Sequence, residues 1–361
     1  MTVLSRRTMA AAAAVGVGIA TVAGFGALPA SANPASLGSV HQISAAYVGP
    51  LQFAVSGNRI FVADSALSKL FKVGRTAPIA TGPAPTSNPE GSGDLAGVAA
   101  TDDAVAYTTT TADHKDTRLT ILSEGHKKVV SLSTFEKWNN PDKRNLYGLV
   151  NAGSVSAACK SEMGKVGLQT STYRGKYDSH PYAVTSLGHG SWAVSDAGGN
   201  DVLKVDRWGH VSVLAVLPAQ PVKISAATAT ANGVKDCAGV TYRFEPVPTD
   251  VEVGPHGRLY VTTLSAAPGP TGSVWKLSDG CAYRIATGFL GATNLAITPR
   301  GHIFVAQLFA GTIAEVHDGG PRTVATLAGV AGLEWANGHL YASTAPAVTG
   351  GSGPGTIVRF G

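Results

Sequence analysis

The chain has 361 residues, among them 44 glycines and 20 prolines, with 14% charged side chains and a formal net charge of +5. This composition excludes a charged disordered chain, and its lack of any sizeable Lys/Arg cluster argues against a nucleic-acid binder. Low charge and abundant glycine suit a turn-rich β protein, and the length allows one large domain.

Residues 1–32 read as an export signal. Arg6 and Arg7 form a basic start, Met9 to Leu28 is an uncharged run of small and apolar residues, and Ala30-Ser31-Ala32 is a small-x-small cleavage site. Ser5-Arg6-Arg7 admits the twin-arginine route beside the general secretory one. An uncleaved membrane anchor is the alternative, but the run is mostly Ala and Gly and the cleavage motif follows directly. Cleavage after Ala32 is expected, giving a secreted, extracellular mature chain of residues 33–361 with a charge of about +3 once Arg6 and Arg7 are gone. No later segment is apolar enough to span a bilayer.

From there a unit recurs six times. Inner runs lie at Phe53–Val55, Val98–Ala100, Tyr182–Val184, Val251–Val253, Leu295–Ile297 and Leu333–Trp335. Second runs follow at Ile60–Val62, Val105–Tyr107, Trp192–Val194, Leu259–Val261, Ile303–Val305 and Leu340–Ala342. Third runs stand at Leu70–Val73, Leu119–Leu122, Val202–Val205, Val274–Leu277, Ile313–Val316 and Ile357–Phe360. Short β-branched and aromatic runs, punctuated by Gly, Pro and Asx turns at a recurring period, predict an all-β fold, a six-bladed β-propeller. Outer strands are expected at Pro78–Ala80, Lys128–Val130, Val211–Leu214, Tyr283–Ile285 and Thr323–Ala325. The last unit runs out of chain at Gly361, so Val40–Ser44 is predicted to supply its outer strand and close the ring.

Two intervals between inner runs are too long for one blade, which predicts insertions near 132–178 and 217–246. The first opens on Ser133–Trp138, a short capped helix that stops at Asn140-Pro141. Both insertions join an outer strand to the next inner one, so they are expected to build a rim or lid on the face that carries the ligand entrance. Cys159 and Cys237 fall in these insertions and are the expected disulfide, with Cys237–Cys281 as the alternative.

Several segments carry a resemblance. Phe135-Glu136-Lys137-Trp138-Asn139-Asn140-Pro141-Asp142, His180–Val184, Val194–Asp206 with its Asp196-Ala197-Gly198-Gly199-Asn200-Asp201 turn, and Val247–Gly257 resemble the ScyD/ScyE family, secreted propellers related to NHL repeats. The likeness covers nearly all of the mature chain, while Cys159, Cys237 and Cys281 depart from the family pattern. It implies a secreted propeller and leaves the activity open, since most members have none established.

In such a ring, polar residues at the starts of inner strands and the ends of second strands converge on the axis. Asp64, Asp196, Asp250 and Asn294 are the candidate ligands for Ca²⁺ or Mg²⁺, with Gln52, Asp94, His180 and Gln307 as further channel-mouth candidates. Asp196 has an equally simple reading as the cap of its own turn. Neither a Gly-x-Ser-x-Gly elbow nor a zinc spacing occurs. The sequence therefore favours a monomeric binding scaffold for a small molecule, glycan or extracellular protein, using the inserted face. The alternative is a divalent-metal-dependent hydrolase or lactonase with its site at the channel mouth, as in related six-bladed lactonases and esterases.

Overall fold

A computed structural model describes residues 37–86 and 93–361; the expected signal segment lies outside the described residues. The chain is all-β apart from a few short helical turns, and its strands form four-stranded antiparallel sheets. Sheet I comprises Pro50–Ser56, Arg59–Asp64, Lys69–Lys72 and Ala80–Thr81, in that order. Sheet II comprises Asp94–Ala100, Ala104–Thr110, Thr117–Ser123 and His126–Ser131. Sheet III comprises Pro181–Gly188, Ser191–Asp196, Asp201–Val205 and Val211–Val216. Sheet IV comprises Pro248–Val253, Leu259–Thr263, Gly272–Ser278 and Cys281–Phe289. Sheet V comprises Ala292–Ile297, Ile303–Gln307, Thr312–His317 and Gly320–Thr326. Sheet VI takes three strands from the chain's end, Val330–Ala336, His339–Thr344 and Gly355–Phe360. Its fourth is Val40–Tyr47, which pairs antiparallel with Gly355–Phe360.

The sheets pack face to face in sequence order. Sheet I meets sheet II through Phe61, Leu70, Leu95 and Tyr107, and sheet II meets sheet III through Leu119, Val130, Trp192 and Leu203. Val202 and Ala215 of sheet III pack against Val261 and Trp275 of sheet IV, and Phe289 packs against Val305 of sheet V. Phe304 and Ile313 reach Leu340 and Phe360 of sheet VI, whose Tyr47 and Ile357 pack against Phe53 and Val62 of sheet I. A strand sandwiched between two neighbouring sheets buries both faces, which is why the inner and second runs are apolar without alternation. The fourth strands have free outer edges and carry the charge, as in His126-Lys127-Lys128, all three exposed.

Inner strands approach closely where side chains are absent. A Cβ on Gly97 would sit 2.9 Å from Ala183 Cα and 2.9 Å from Thr108 Oγ1. Gly97→Ala should therefore wedge sheets II and III apart and lower stability by roughly 1–3 kcal/mol, read as a shifted denaturation midpoint at unchanged slope.

The two insertions meet in a further sheet, ordered Thr172–Arg174, Leu146–Leu149, Thr241–Phe244, Gln220–Lys223. Helices α1 (Leu132–Asn139), α2 (Ala157–Lys165) and α3 (Ala226–Ala231) accompany them. Ser131, Ser156 and Ser225 cap the three helix starts through their side-chain oxygens. A disulfide joins Cys159 of α2 to Cys237, within an apolar cluster of Leu149, Met163, Ile224, Tyr242 and Phe244. Cys281 is free and exposed.

Candidate functional site

The first strands of sheets I to VI bring their opening residues together, and polar side chains there lace one sheet to the next. Asp250 Oδ2 accepts from the Leu295 N–H at 2.9 Å, and Asn294 Oδ1 accepts from the Leu333 N–H at 2.7 Å. Asn294 Nδ2 donates to Gln52 Oε1 at 2.8 Å, and Gln52 Nε2 donates to the Thr249 carbonyl at 3.1 Å. Sheets I, IV and V are thereby tied through amide groups that are all buried. Satisfied buried amides of this kind fix the geometry of a core.

Beyond Asp250 stand two acids that sequence reasoning left out of the site, Glu252 and Glu334. Burial raises the Asp250 carboxyl to about 7, against backbone N–H donors from Leu295 and Val251 that pull it down. Burial and then the charge of Glu334 raise Glu252 well above the carboxylate range, and burial followed by Asp250 does the same to Glu334. Thr185 donates to Glu252 at 3.3 Å. Glu252 and Glu334 could have been found from their shared place, the fifth residue of the first strands of sheets IV and VI, two positions past Asp250 and Gly332.

The other candidates are committed elsewhere. Asp64 accepts from the N–H groups of Val48, Gly49 and Leu67, and Gln307 bridges the Leu290 N–H and the Thr312 hydroxyl. Asp196 accepts from Ser179 and from the N–H groups of His180, Gly198 and Gly199. Asp64 and Asp196 thus meet backbone donors of the chain beside their own strands, and Asp250 meets one of the next sheet. Among the described residues no three or more His, Cys, Asp or Glu are arranged to hold a metal ion.

His180 Nε2 lies 2.9 Å from Asp94 Oδ2, and His114 Nδ1 lies 2.8 Å from Asp178 Oδ1, with the two imidazoles 4.9 Å apart edge to face. Burial opposes charge on His180, but Asp94, together with Asp196 and Asp178, outweighs it and the imidazole is shifted upward. The neighbouring hydroxyl of Ser179 donates to Asp196 at 2.6 Å and contacts Thr117 Oγ1 at 2.7 Å, so it is not aligned on His180 as a nucleophile.

One apolar cluster draws Leu51, Ala96, Tyr182 and Ala331 from sheets I, II, III and VI, with Val247 and Leu308 flanking sheets IV and V, and Val348. Its members sit at or beside first-strand starts and past second-strand ends, the end of the sheets that the sequence marks as the entrance face. Leu51 and Leu308 are both 2% exposed there.

A second group of acids lies between α1, the Pro141–Arg144 turn and sheet III. Glu136, Asp142, Asp196 and Asp201 are all buried. Asp142 Oδ2 accepts from Tyr147 at 2.9 Å and from Asn200 at 3.2 Å. Both oxygens of Asp201 and Oε1 of Glu136 lack a hydrogen-bond partner among the described residues. Burial, then Asp196 and Asp142, push Glu136 up to about 9; burial, then Asp196, Glu136 and Asp142, raise Asp201 well above the carboxylate range.

On the outer wall, α1 and the Trp208-Gly209 turn flank a groove of about 530 Å³ along the outer strand of sheet II. Trp138 and Trp208 stand on it 76% and 65% exposed. The Lys128 ammonium donates to the Arg207 carbonyl and pins the turn to that strand.

No protein-family model matches the chain, and no curated protein matches it. By structure it is similar to the PQQ-bound aldose sugar dehydrogenase of Streptomyces coelicolor, 13% identical with a TM-score of 0.53 over 91% of this chain and 99% of that one. It is also similar to a Thermus thermophilus protein assigned as a glucose dehydrogenase, 14% identical with a TM-score of 0.52 over 89% and 99% of the two chains. A gluconolactonase of Xanthomonas campestris matches at 11% identity and a TM-score of 0.47 over 93% and 97%. Identities this low define the fold: an all-β, propeller-like protein.

Proposed function

We propose that the chain is an exported binding scaffold of the ScyD/ScyE kind, a six-bladed propeller whose N-terminal strand closes the last blade. The cyclic packing of sheets I to VI and the pairing of Val40–Tyr47 with Gly355–Phe360 support this architecture. The disulfide fits an oxidising compartment, and no helix among the described residues is long and apolar enough to cross a membrane. The observation that carries the binding function is the groove on the outer wall where Trp138 and Trp208 stand exposed, while the apolar cluster of Leu51, Leu308 and Val348 packs the convergent end of the sheets.

A second reading, a hydrolase or lactonase, draws on Asp250, whose carboxyl near 7 is suited to general-base work at neutral pH. The two separate in one comparison. Wild type and Asp250→Asn are assayed on a panel of lactones and aryl esters, with and without Ca²⁺ or Mg²⁺. In parallel, wild type and the Trp138→Ala/Trp208→Ala double variant are screened for thermal shifts against glycans and peptides. A ligand-induced shift lost only in the double variant is expected. Metal-dependent turnover abolished by Asp250→Asn would replace the scaffold with the hydrolase.

A further inference from the structure

We propose that the groove between Trp138 and Trp208 takes an acidic polysaccharide, held as a uronate-bearing strand; this rests on the binding function above and names its ligand. Trp192 and Trp275 are 2% and 4% exposed and Trp335 is half-buried, so Trp138 and Trp208 are the two tryptophans left open to solvent. Two indoles on opposite walls of one groove are the exception, and nothing in the fold requires them there. A pyranose ring offers apolar C–H faces to an indole and hydroxyls at its edges. Ser131, Thr134 and Asn139 set hydroxyl and amide groups among the rings of Phe135, Trp138 and Trp208.

The charge is one-sided. Lys128 is the charged side chain lining the groove, the Arg207 guanidinium lies 4.1 Å from the centre of the Trp208 ring, and the Lys137 ammonium lies 5.7 Å from that of Trp138. The nearby acids do not answer these cations. Asp206 is occupied by the N–H groups of Trp208, Gly209 and His210 and by the His210 ring, and Glu136 of α1 is buried on the far side of its helix. Cations beside aromatic faces favour a sugar that carries carboxylates over a neutral one. The volume suits a short run of saccharide units. A protein partner would need on the order of 800 Å² of matched surface per side.

The probe is an oligogalacturonate hexamer, titrated by calorimetry into the full chain, with cellohexaose as neutral control and a single-stranded oligonucleotide as rival polyanion. Trp138→Ala and Trp208→Ala should each weaken hexamer binding about tenfold or more, the loss typical of a central aromatic anchor. Lys137→Gln should weaken it a few-fold and flatten its salt dependence. Melting temperatures should hold, because both indoles are exposed. Undiminished binding by the double tryptophan variant would overturn the groove as the site while leaving a binding scaffold standing. No hexamer binding at millimolar concentration, or tighter binding of the oligonucleotide, would overturn the acidic polysaccharide as occupant, and the broader ligand screen then judges the scaffold independently.

Discussion

Raising the pH from 5 to 8 should destabilise the folded chain, and Glu136→Gln should remove much of the loss. Glu136 titrates near 4.5 as a free side chain and near 9 in the fold. Its contribution is therefore fully present below pH 4.5 and is lost progressively as pH rises toward 9. Across that window the unfolded chain gives up a proton that the folded one retains, which costs about 1.4 kcal/mol per pH unit, or about 4 kcal/mol between pH 5 and 8. Asp201, with no partner for either oxygen among the described residues and its carboxyl raised well above the usual range, acts in the same direction. Asp201→Asn should thus stabilise at pH 8 and change little at pH 4. Urea midpoints for wild type, Glu136→Gln and Asp201→Asn across this range provide the check. A flat wild-type profile would mean that the cluster is ionised in the folded chain and balanced by a counter-charge.

Cys159→Ser should release the accessory sheet while the main sheets stay folded. The bridge spans 78 residues of sequence, and closing a loop of that length is worth roughly 4 kcal/mol in chain entropy. The accessory sheet has a small core of its own and short strands, so it has little else to meet that loss. Limited proteolysis with peptide mapping should show new cleavages within residues 150–178 and 218–240, with fragments from sheet III and from sheets IV to VI surviving. An unchanged cleavage pattern would assign the stability of this sheet to its packing and leave the bridge incidental.

The strand pattern was legible because each β-run must bury both faces between neighbours and each turn must be made by Gly, Pro or Asx residues. Ile60–Val62, Trp192–Val194 and Ile303–Val305 all lie in second strands. The pairing of Cys159 with Cys237 was legible too, as the two insertions that carry these residues share one cluster. The site was less so. Asp64 and Asp196 close second strands and Asp250 stands near the start of a first strand, all three being carboxylates near strand termini, yet the first two cap turns while Asp250 bonds the next sheet. Local sequence does not separate those fates, because the deciding donor belongs to a segment distant in sequence. Glu136 and Asp201 escaped notice for the same reason: they are 65 positions apart in the chain and meet only when α1 folds against sheet III.

By itself the sequence determined the strands, their order and the places where extra chain had to be accommodated. Those features follow from local periodicity and from the need to hide apolar faces and edges. Only the tertiary structure decided that Leu51, Leu308 and Val348 pack together and that two tryptophans, 70 positions apart, line one groove. Those are consequences of side chains meeting from separate segments, and their meeting is set by how the sheets pack against one another.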